Sequence, residues 1–234
     1  MAAPRVFGRV RGRRVPSRLR VLQALKGQLR GSAVALVRLA SAWTWIALFA
    51  LAALIVASGA VRDLDHAALD VAQSVRSPAL DLLGSLIGLL GQSEVTLGIA
   101  LGLAVARFRR SRVEAIIPLF IVATIAVETF VKLVVPQVPP GPERSRTVEL
   151  LPLLSVPFAH SFPSGHVARA AFLLRVATPI PTWLVVAGVV AMALSRIYLG
   201  EHWLSDTVGG ALLGIGTANI ARQLIDLTRK GDRA

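Results

Sequence analysis

The sequence predicts an all-α protein, a polytopic membrane bundle of about six transmembrane helices. Hydrophobic residues make up 54% of the 234 positions, charged residues only 17%, and the mean hydropathy is +0.65. This composition is too apolar for a soluble domain of this length. Apolar runs long enough to cross a bilayer recur along the chain. The length suits one compact bundle and leaves little room for a second domain.

A basic arm comes before the first apolar run. Residues 1–38 contain ten Lys or Arg and no Asp or Glu, in a chain of net charge +13. No aromatic stacking pattern accompanies this charge, so we expect no nucleic-acid partner. The positive-inside rule instead places the arm in the cytosol, where it can contact anionic lipid headgroups. The first helix is predicted from about Ser41 to Val61, roughly 32 Å long, as a retained anchor and not a cleaved signal.

The second and third helices are predicted on either side of an arginine cluster. A polar stretch from Arg62 to Ser77 leads into an apolar region at about Leu80 to Ala106, in which we expect a break at Gly91–Ser93. Four arginines then fall within Arg107–Arg112. The third helix is expected from about Val113 to Val135.

A proline-rich loop at 136–162 separates the first three predicted helices from the last three, because its four early prolines exclude continued helix. The remaining helices are predicted from about Ser164 to Pro179, Thr182 to Leu199 and Ser205 to Leu224. The predicted organisation is a basic cytosolic arm at 1–38, a six-helix transmembrane domain at 39–226 and a short basic cytosolic tail at 227–234.

Basic clusters and candidate polar residues separate onto opposite faces of such a bundle. With a cytosolic N-terminus, six spans place Arg107–Arg112, the Pro179–Pro181 turn and the C-terminus in the cytosol. Lys132, Ser164–His166 and Arg196–Asp206 fall on the other side. We therefore predict a multi-pass cell-membrane protein with cytosolic termini and an extracytoplasmic active site.

His202 and Asp206 are four residues apart near the start of the last predicted helix. This spacing puts both on one helix face, where the carboxylate can hold one imidazole nitrogen and leave the other free to attack. Such a pair suits a nucleophile that forms a phosphohistidine. Taken alone, the pair favours a structural role that ties a helix end to a loop.

Pro163-Ser164-Gly165-His166 precedes another apolar run. Ser164 is a candidate N-cap, and the first free N–H groups of the helix form an anion site that Gly165 leaves open to the backbone. His166 beside that anion suits a general acid. The alternative is a plain helix start with a surface histidine.

Two cations stand near these motifs in the predicted topology. Arg196 can bind two phosphate oxygens at once and balance the charge of a transition state, and Lys132 can make a phosphate contact. Either side chain can also be an interface anchor. Glu128 lies one turn before Lys132 and favours a structural pair with it. Arg169, three residues after His166, fits a pair with Glu128 slightly better than a contact to the second phosphate of a diphosphate.

Together these residues resemble the type 2 phosphatidic acid phosphatase (PAP2) superfamily, which shares its core with bacterial acid phosphatases and vanadium haloperoxidases. That family carries the motifs Lys-x6-Arg-Pro, Pro-Ser-Gly-His and Ser-Arg-x5-His-x3-Asp. The second motif is complete as Pro163–His166, and the third as Ser195-Arg196, His202 and Asp206. The resemblance extends from about Asp63 to Leu224 and implies a helical core of the haloperoxidase type.

The resemblance implies a role for each matched residue and no cofactor, since the family needs no metal ion. His202 would be the nucleophile, Asp206 its orienting partner and His166 the general acid. The residues implied to hold phosphate oxygens are Lys132, Ser164, Gly165 and Arg196.

The first motif departs from the family pattern. Six residues separate Lys132 from Pro139-Pro140, and at this position the family has Arg-Pro. Arg144 or Arg146 in the same loop can supply the missing guanidinium from another backbone position. If neither does, activity is low or the substrate binds differently.

The sequence thus predicts a membrane hydrolase for a phosphorylated membrane lipid, with polyprenyl diphosphate and phosphatidic acid as candidates. An alternative, motivated by the missing arginine, is a catalytically weak relative that binds or moves such lipids. A small transporter would need polar residues near the bilayer midplane and repeated half-bundles, and the sequence has neither clearly.

Overall fold

The computed structural model describes residues 43–151, 158–177 and 180–231, and within these ranges it is helical with no β-strand, as predicted. The predicted arm at 1–38, the start of the first helix, Pro179 of the predicted turn and the last three residues lie outside the described residues. The helices are α1 (Trp43–Ala57), α2 (Arg62–Ala72), α3 (Pro78–Leu89), α4 (Ser93–Phe108), α5 (Arg112–Leu119), α6 (Ile121–Val134), α7 (Gly165–Val176), α8 (Thr182–Tyr198) and α9 (Leu204–Gly231).

The polar stretch after the first apolar run is itself a helix, α2, which the sequence did not predict. Gly59 has a φ of +73° and turns the chain, so α1 ends at Ala57 and α2 leaves it at an angle of 93°. Positive φ is readily adopted by glycine. Helix α2 buries Asp65 and Leu69 and packs against α8 and α9.

Two of the predicted helices are interrupted. The break expected at Gly91–Ser93 lies between α3 and α4, which are bent by 46°. Helices α5 and α6 continue each other, and Pro118 inside α5 explains the interruption at Phe120 because proline removes a helical hydrogen bond. Ser77 caps α3 by accepting the N–H of Leu80 at 3.1 Å.

Helix α7 forms the centre of the bundle and packs against α9, α8, α6 and α4. The closest approach is to α9, where glycines replace larger side chains. A Cβ at Gly210 would meet the carbonyl oxygen of Ser164, and one at Gly214 would meet that of Ala168. Small residues at such positions let two helix backbones approach closely. The close fit fixes the start of α7 against the start of α9.

Ion-dipole contacts mark the end of the bundle away from the starts of α7 and α9. Arg107, at the end of α4, donates to the carbonyl of Val176 at the end of α7. Arg222, in the second half of α9, donates to the carbonyl of Arg175. Cations at helix C-termini are stabilised by the helix dipole. The arginine cluster and the residues of the second and third motifs therefore lie at opposite ends of α7, as the predicted topology requires.

The later helix boundaries agree with the sequence except at the C-terminus. Helix α9 continues to Gly231, beyond the predicted end at Leu224, and therefore includes part of the predicted tail. Ile225 is buried, so the extension of α9 still contributes to the core. Helices α7 and α8 end within a few residues of their predicted ends.

Among the described residues, one helical segment is long and apolar enough to cross a membrane by itself, Arg112–Val134. The bent pairs α1–α2 and α3–α4 raise the number to three if each counts as one span. Helix α8 is apolar but shorter. The number of six spans stays a prediction.

Candidate active site

Four helix ends bring the residues of the three motifs together. Lys132 lies at the end of α6, His166 in the first turn of α7 and Arg196 at the end of α8, and His202 lies in the loop before α9. The cations whose charges act on His166 are Arg196, Arg169 and Lys132. These three side chains and that of His202 are at most 9% exposed. The predicted catalytic residues therefore form one buried cluster.

The His202–Asp206 pair has the geometry that the spacing predicted. Nδ1 of His202 donates to Oδ2 of Asp206 at 3.2 Å, because a carboxylate can only accept. The same oxygen accepts the backbone N–H of Trp203 at 3.0 Å, which caps the start of α9. Burial lowers the pKa of His202, and the Asp206 hydrogen bond partly offsets this effect. His202 is thus a neutral imidazole whose Nε2 carries the lone pair.

Asp65 supports this pair, although in the sequence it is only one acid among several in a polar stretch. Its carboxylate accepts the N–H of Ser205 at 2.8 Å and the hydroxyl of Ser205 at 2.6 Å. Gln137 donates to the same carboxylate at 3.2 Å. Asp65 is fully enclosed and satisfies one of the free N–H groups at the start of α9. The position of Asp206 is therefore fixed from α2, which is 140 residues away in sequence.

The second motif presents unpaired polar atoms to the cluster. Ser164 is the N-cap of α7 as predicted, but its hydroxyl makes no capping bond, and its N–H is taken by the carbonyl of Asp206 at 2.9 Å. Within the described part of the chain, Oγ of Ser164, Nε2 of His166 and Nε of Arg196 are buried without a hydrogen-bond partner. Buried polar groups normally have partners, so these atoms point to a ligand that brings oxygen acceptors.

Glycines on the α3 side make room for two of these groups. A side chain at Gly88 would run into the guanidinium of Arg196. A Cβ at Gly91 would lie 2.9 Å from the Cβ of His166. The break between α3 and α4 therefore forms one wall of the cluster, although the sequence indicated only a helix interruption there.

A buried ion triad lies beside the first turn of α7. Oε1 of Glu128 is 3.1 Å from Nζ of Lys132, and its Oε2 is 2.7 Å from Nη1 of Arg169. Both expected pairs are therefore formed. Nε of Arg169 also donates to the carbonyl of Gly91 at 3.0 Å. A Cβ at Gly165 would collide with the Glu128 carboxylate. The carboxylate therefore lies directly against the Gly165 backbone.

The backbone and side chain of Lys132 have further contacts. Nδ1 of His160, in the loop before α7, donates to the Lys132 carbonyl at 2.8 Å. The Lys132 ammonium lies 4.7 Å from the centre of the Phe158 ring. These contacts hold the end of α6 next to the loop that enters the second motif.

Both loop arginines proposed as substitutes are bound to carboxylates. Arg146 makes two hydrogen bonds of 2.8 Å to Asp81, and these bonds raise the pKa of Arg146. Arg144 lies 2.9 Å from Asp70 at the surface. Pro139 lines a cavity of about 640 Å³ together with Trp203 and Arg144. The position where the family has arginine thus faces open space.

The described residues contain no group of three or more His, Cys, Asp or Glu side chains placed to hold a metal ion. The cluster instead combines buried cations, a helix N-terminus, an imidazole with a free Nε2 and a second histidine, a set of groups that suits an anion.

Fold and site together define a helical membrane protein with buried cations and two histidines grouped at one end of the bundle. The family model of the PAP2 superfamily matches residues 116–230. The transmembrane PAP2 type phosphatidylglycerolphosphate phosphatase from Bacillus subtilis has a similar structure, with a TM-score of 0.66 and 22% identity over 79% of this chain and 96% of that one. Aquifex aeolicus LpxE is similar with a TM-score of 0.50 and 25% identity, over 68% and 94% of the two chains.

In sequence, undecaprenyl-diphosphatase from Sulfolobus acidocaldarius is 38% identical over 64 residues, which cover 25% of this chain and 30% of that protein. The chain is thus similar to the PAP2 superfamily over residues 116–230, slightly less than half of its length, and it shares its fold with a transmembrane PAP2 type phosphatase. The predicted family and helical fold class are confirmed.

Proposed function

We propose that this protein hydrolyses a lipid phosphate or diphosphate through a phosphohistidine on His202. The observation that carries the proposal is the set of unpaired buried groups on Ser164, His166 and Arg196 around a neutral His202. Each of these groups suits a phosphate oxygen or a leaving oxygen. The undecaprenyl-diphosphatase and phosphatidylglycerolphosphate phosphatase activities of the relatives are consistent with this substrate class.

The reaction has two steps. Nε2 of His202 attacks phosphorus, the bond from phosphorus to the leaving oxygen breaks, and His166 gives that oxygen a proton. Water then attacks the phosphohistidine while His166 takes its proton, the P–N bond breaks, and inorganic phosphate leaves. Asp206 holds the His202 ring and balances the positive charge that it gains.

Phosphate oxygens would be held by Lys132, Ser164, the backbone N–H of Gly165 and Arg196. Their charges stabilise the equatorial oxygens of the transferring phosphoryl group. Arg144 and Arg146 can join them only by leaving Asp70 and Asp81. No metal ion enters these steps.

We also propose that the site opens on the extracytoplasmic side and that both termini are cytosolic. The opposite ends of α7 carry the site and the arginine cluster, and the positive-inside rule assigns the arginine end to the cytosol. The lipid tail then stays in the bilayer while the headgroup reaches the site.

The test is phosphate release by the full-length protein in detergent, with chelator present, from polyprenyl diphosphate and from phosphatidic acid. We expect His202→Ala to lower release at least about 1,000-fold. The exposed His66, which packs its ring on Trp203, is the control, and His66→Ala should stay near wild type. A folded wild type that releases no phosphate from either lipid would favour the alternative, a relative that binds or moves phosphorylated lipids.

A further inference from the structure

We propose that Arg169 supplies the guanidinium that this chain lacks at Pro139, so that the phosphate site is completed from α7 and not from the loop after α6. The inference rests on the proposed function, because it concerns the same phosphate site. It deepens that function by naming a residue that binds the substrate phosphate.

Arg169 is placed within reach of the candidate phosphate position. It lies one turn after His166 on α7, and its charge acts on that histidine. Its guanidinium shares the Glu128 carboxylate with Lys132, the cation of the first motif. Glu128 in turn lies against Gly165, at the start of α7. Arg169 and Lys132 thus meet at the helix N-terminus that favours an anion.

Arg169 also has unused hydrogen-bond donors. A guanidinium carries five N–H groups. The described residues use two of those of Arg169, one for Gly91 and one for Glu128. The rest remain for phosphate oxygens, although the side chain is only 5% exposed. Because Nε and Nη1 are already bound, Nη2 and the remaining N–H of Nη1 are presented in a set geometry, which suits binding of phosphate oxygens.

The charge of the pocket favours a phosphate anion. Lys132, Arg169 and Arg196 bring three positive charges, and Glu128 and Asp206 remove two, which leaves an excess of one beside His202. The positive charge that His202 gains on bonding phosphorus raises this excess to two. Uncompensated buried cations are costly, so an empty pocket of this kind is stabilised by an anion. Without Arg169 the empty pocket has no excess of positive charge.

The loop arginines lack these features. Arg146 is held by Asp81 through two hydrogen bonds on one edge of its guanidinium, and Arg144 lies at the surface beside Asp70. A purely structural Arg169 would tie α7 to the carbonyl of Gly91 and to Glu128 and do nothing more. The experiment has to separate this role from phosphate binding.

The chain offers a direct rescue. Pro139→Arg restores the family spacing, Lys-x6-Arg-Pro, since Pro140 already follows. We expect Arg169→Gln to lower kcat/KM for the lipid substrate at least about 100-fold, as loss of one preorganised donor does. The double variant Arg169→Gln with Pro139→Arg should recover at least about tenfold, because a guanidinium again reaches the phosphate. Arg175→Gln, at the far end of the same helix, is the matched control.

Anion binding tests the role of Arg169 without turnover. The affinities for inorganic phosphate and orthovanadate are measured by calorimetry on the detergent-solubilised full-length protein. Arg169→Gln should weaken both anions, Pro139→Arg should restore them, and Arg144→Gln and Arg146→Gln should leave them unchanged. Wild-type anion affinity in Arg169→Gln would overturn the proposal, and so would a loss that Pro139→Arg does not rescue. A wild type that binds anions but releases no phosphate would instead overturn the proposed function alone.

Discussion

Asp65 on α2 holds Ser205 at the start of α9 through two hydrogen bonds, 2.8 Å from the backbone N–H and 2.6 Å from the hydroxyl. Ser205 directly precedes Asp206, so a residue far away in sequence sets the position of the carboxylate that orients His202. Asp65 touches none of the reacting groups and acts through Ser205 as a positioning residue.

Asp65→Asn should therefore impair turnover more than substrate binding. An asparagine keeps one acceptor but turns an NH₂ group towards the Ser205 hydroxyl and the Gln137 amide, which both donate to Asp65 in the wild type. We expect kcat to fall about 10- to 100-fold with a nearly unchanged KM, since small misplacement of reacting groups has effects of this size. Steady-state kinetics measure the effects on kcat and KM separately. Asp63→Asn, an exposed site on the same helix, should behave as wild type, and an equal loss there would argue against positioning.

Gly88 and Gly91 should be sites where one added methyl group changes activity. A Cβ at Gly88 meets the Arg196 guanidinium, and a Cβ at Gly91 meets the His166 side chain and backbone. We expect Gly88→Ala to shift Arg196 and lower kcat/KM about tenfold or more, and Gly91→Ala to lower it further because the backbone cannot yield.

Two glycines of α4 serve as matched controls for this pair. A Cβ at Gly98 or Gly102 meets nothing within 4 Å. Alanine at either position should keep full activity and a folded protein, because alanine favours helix over glycine by about 1 kcal/mol. Size-exclusion profiles and phosphate release report both properties. Equal activity in all four variants would show that the α3–α4 break does not form a wall of the site.

Most of the helices and the second and third motifs could be predicted from sequence because both depend on local patterns. Apolar runs predict helices, and the spacing of His202 and Asp206 follows from the helical repeat. The supporting residues could not be predicted in the same way. Asp65 is one of several acids in a polar stretch, and its contact with Ser205 exists only after α2 turns at Gly59. Gly88 likewise shows its role only when α8 places Arg196 against it.

The missing arginine of the first motif shows the same limit of prediction from sequence. Counting residues from Lys132 finds the gap at Pro139 and directs attention to arginines nearby in sequence. Arg144 and Arg146 are near in sequence but bound elsewhere, whereas Arg169 is distant in sequence and shares Glu128 with Lys132. Proximity in a bundle is set by helix packing, which spacing along one helix cannot reveal.

Gly214 should tolerate no larger side chain, because α7 and α9 touch through their backbones there. A Cβ would meet the carbonyl oxygen of Ala168 and the side chain of Ala171. We expect Gly214→Val to destabilise the protein by about 1–3 kcal/mol or more, as overpacking does. Thermal unfolding in detergent measures the change, with Gly102→Val as the control in open space. An unchanged melting temperature in Gly214→Val would contradict the close packing.

The acid limb of the pH–rate profile should reflect the protonation of His202. Burial lowers the pKa of this group below its usual value of 6.5, while the bond to Asp206 raises it. Only the neutral ring can attack, so kcat/KM should fall as pH drops through the lowered pKa, and activity should persist below pH 6.5. Asp206→Asn removes the raising contribution. The acid limb of that variant should therefore move to still lower pH even as kcat falls.

Comparison of the two profiles on one substrate removes the ionisation of the substrate phosphate, which is common to both. His66→Ala, a change at an exposed ring, should leave the limb in place. A limb that stays fixed in Asp206→Asn, or that lies above pH 6.5 in the wild type, would mean that a group other than His202 controls the free enzyme. The nucleophile would then have to be sought again among the buried groups of the cluster, with His166 first because its Nε2 is enclosed without a partner in the described part of the chain.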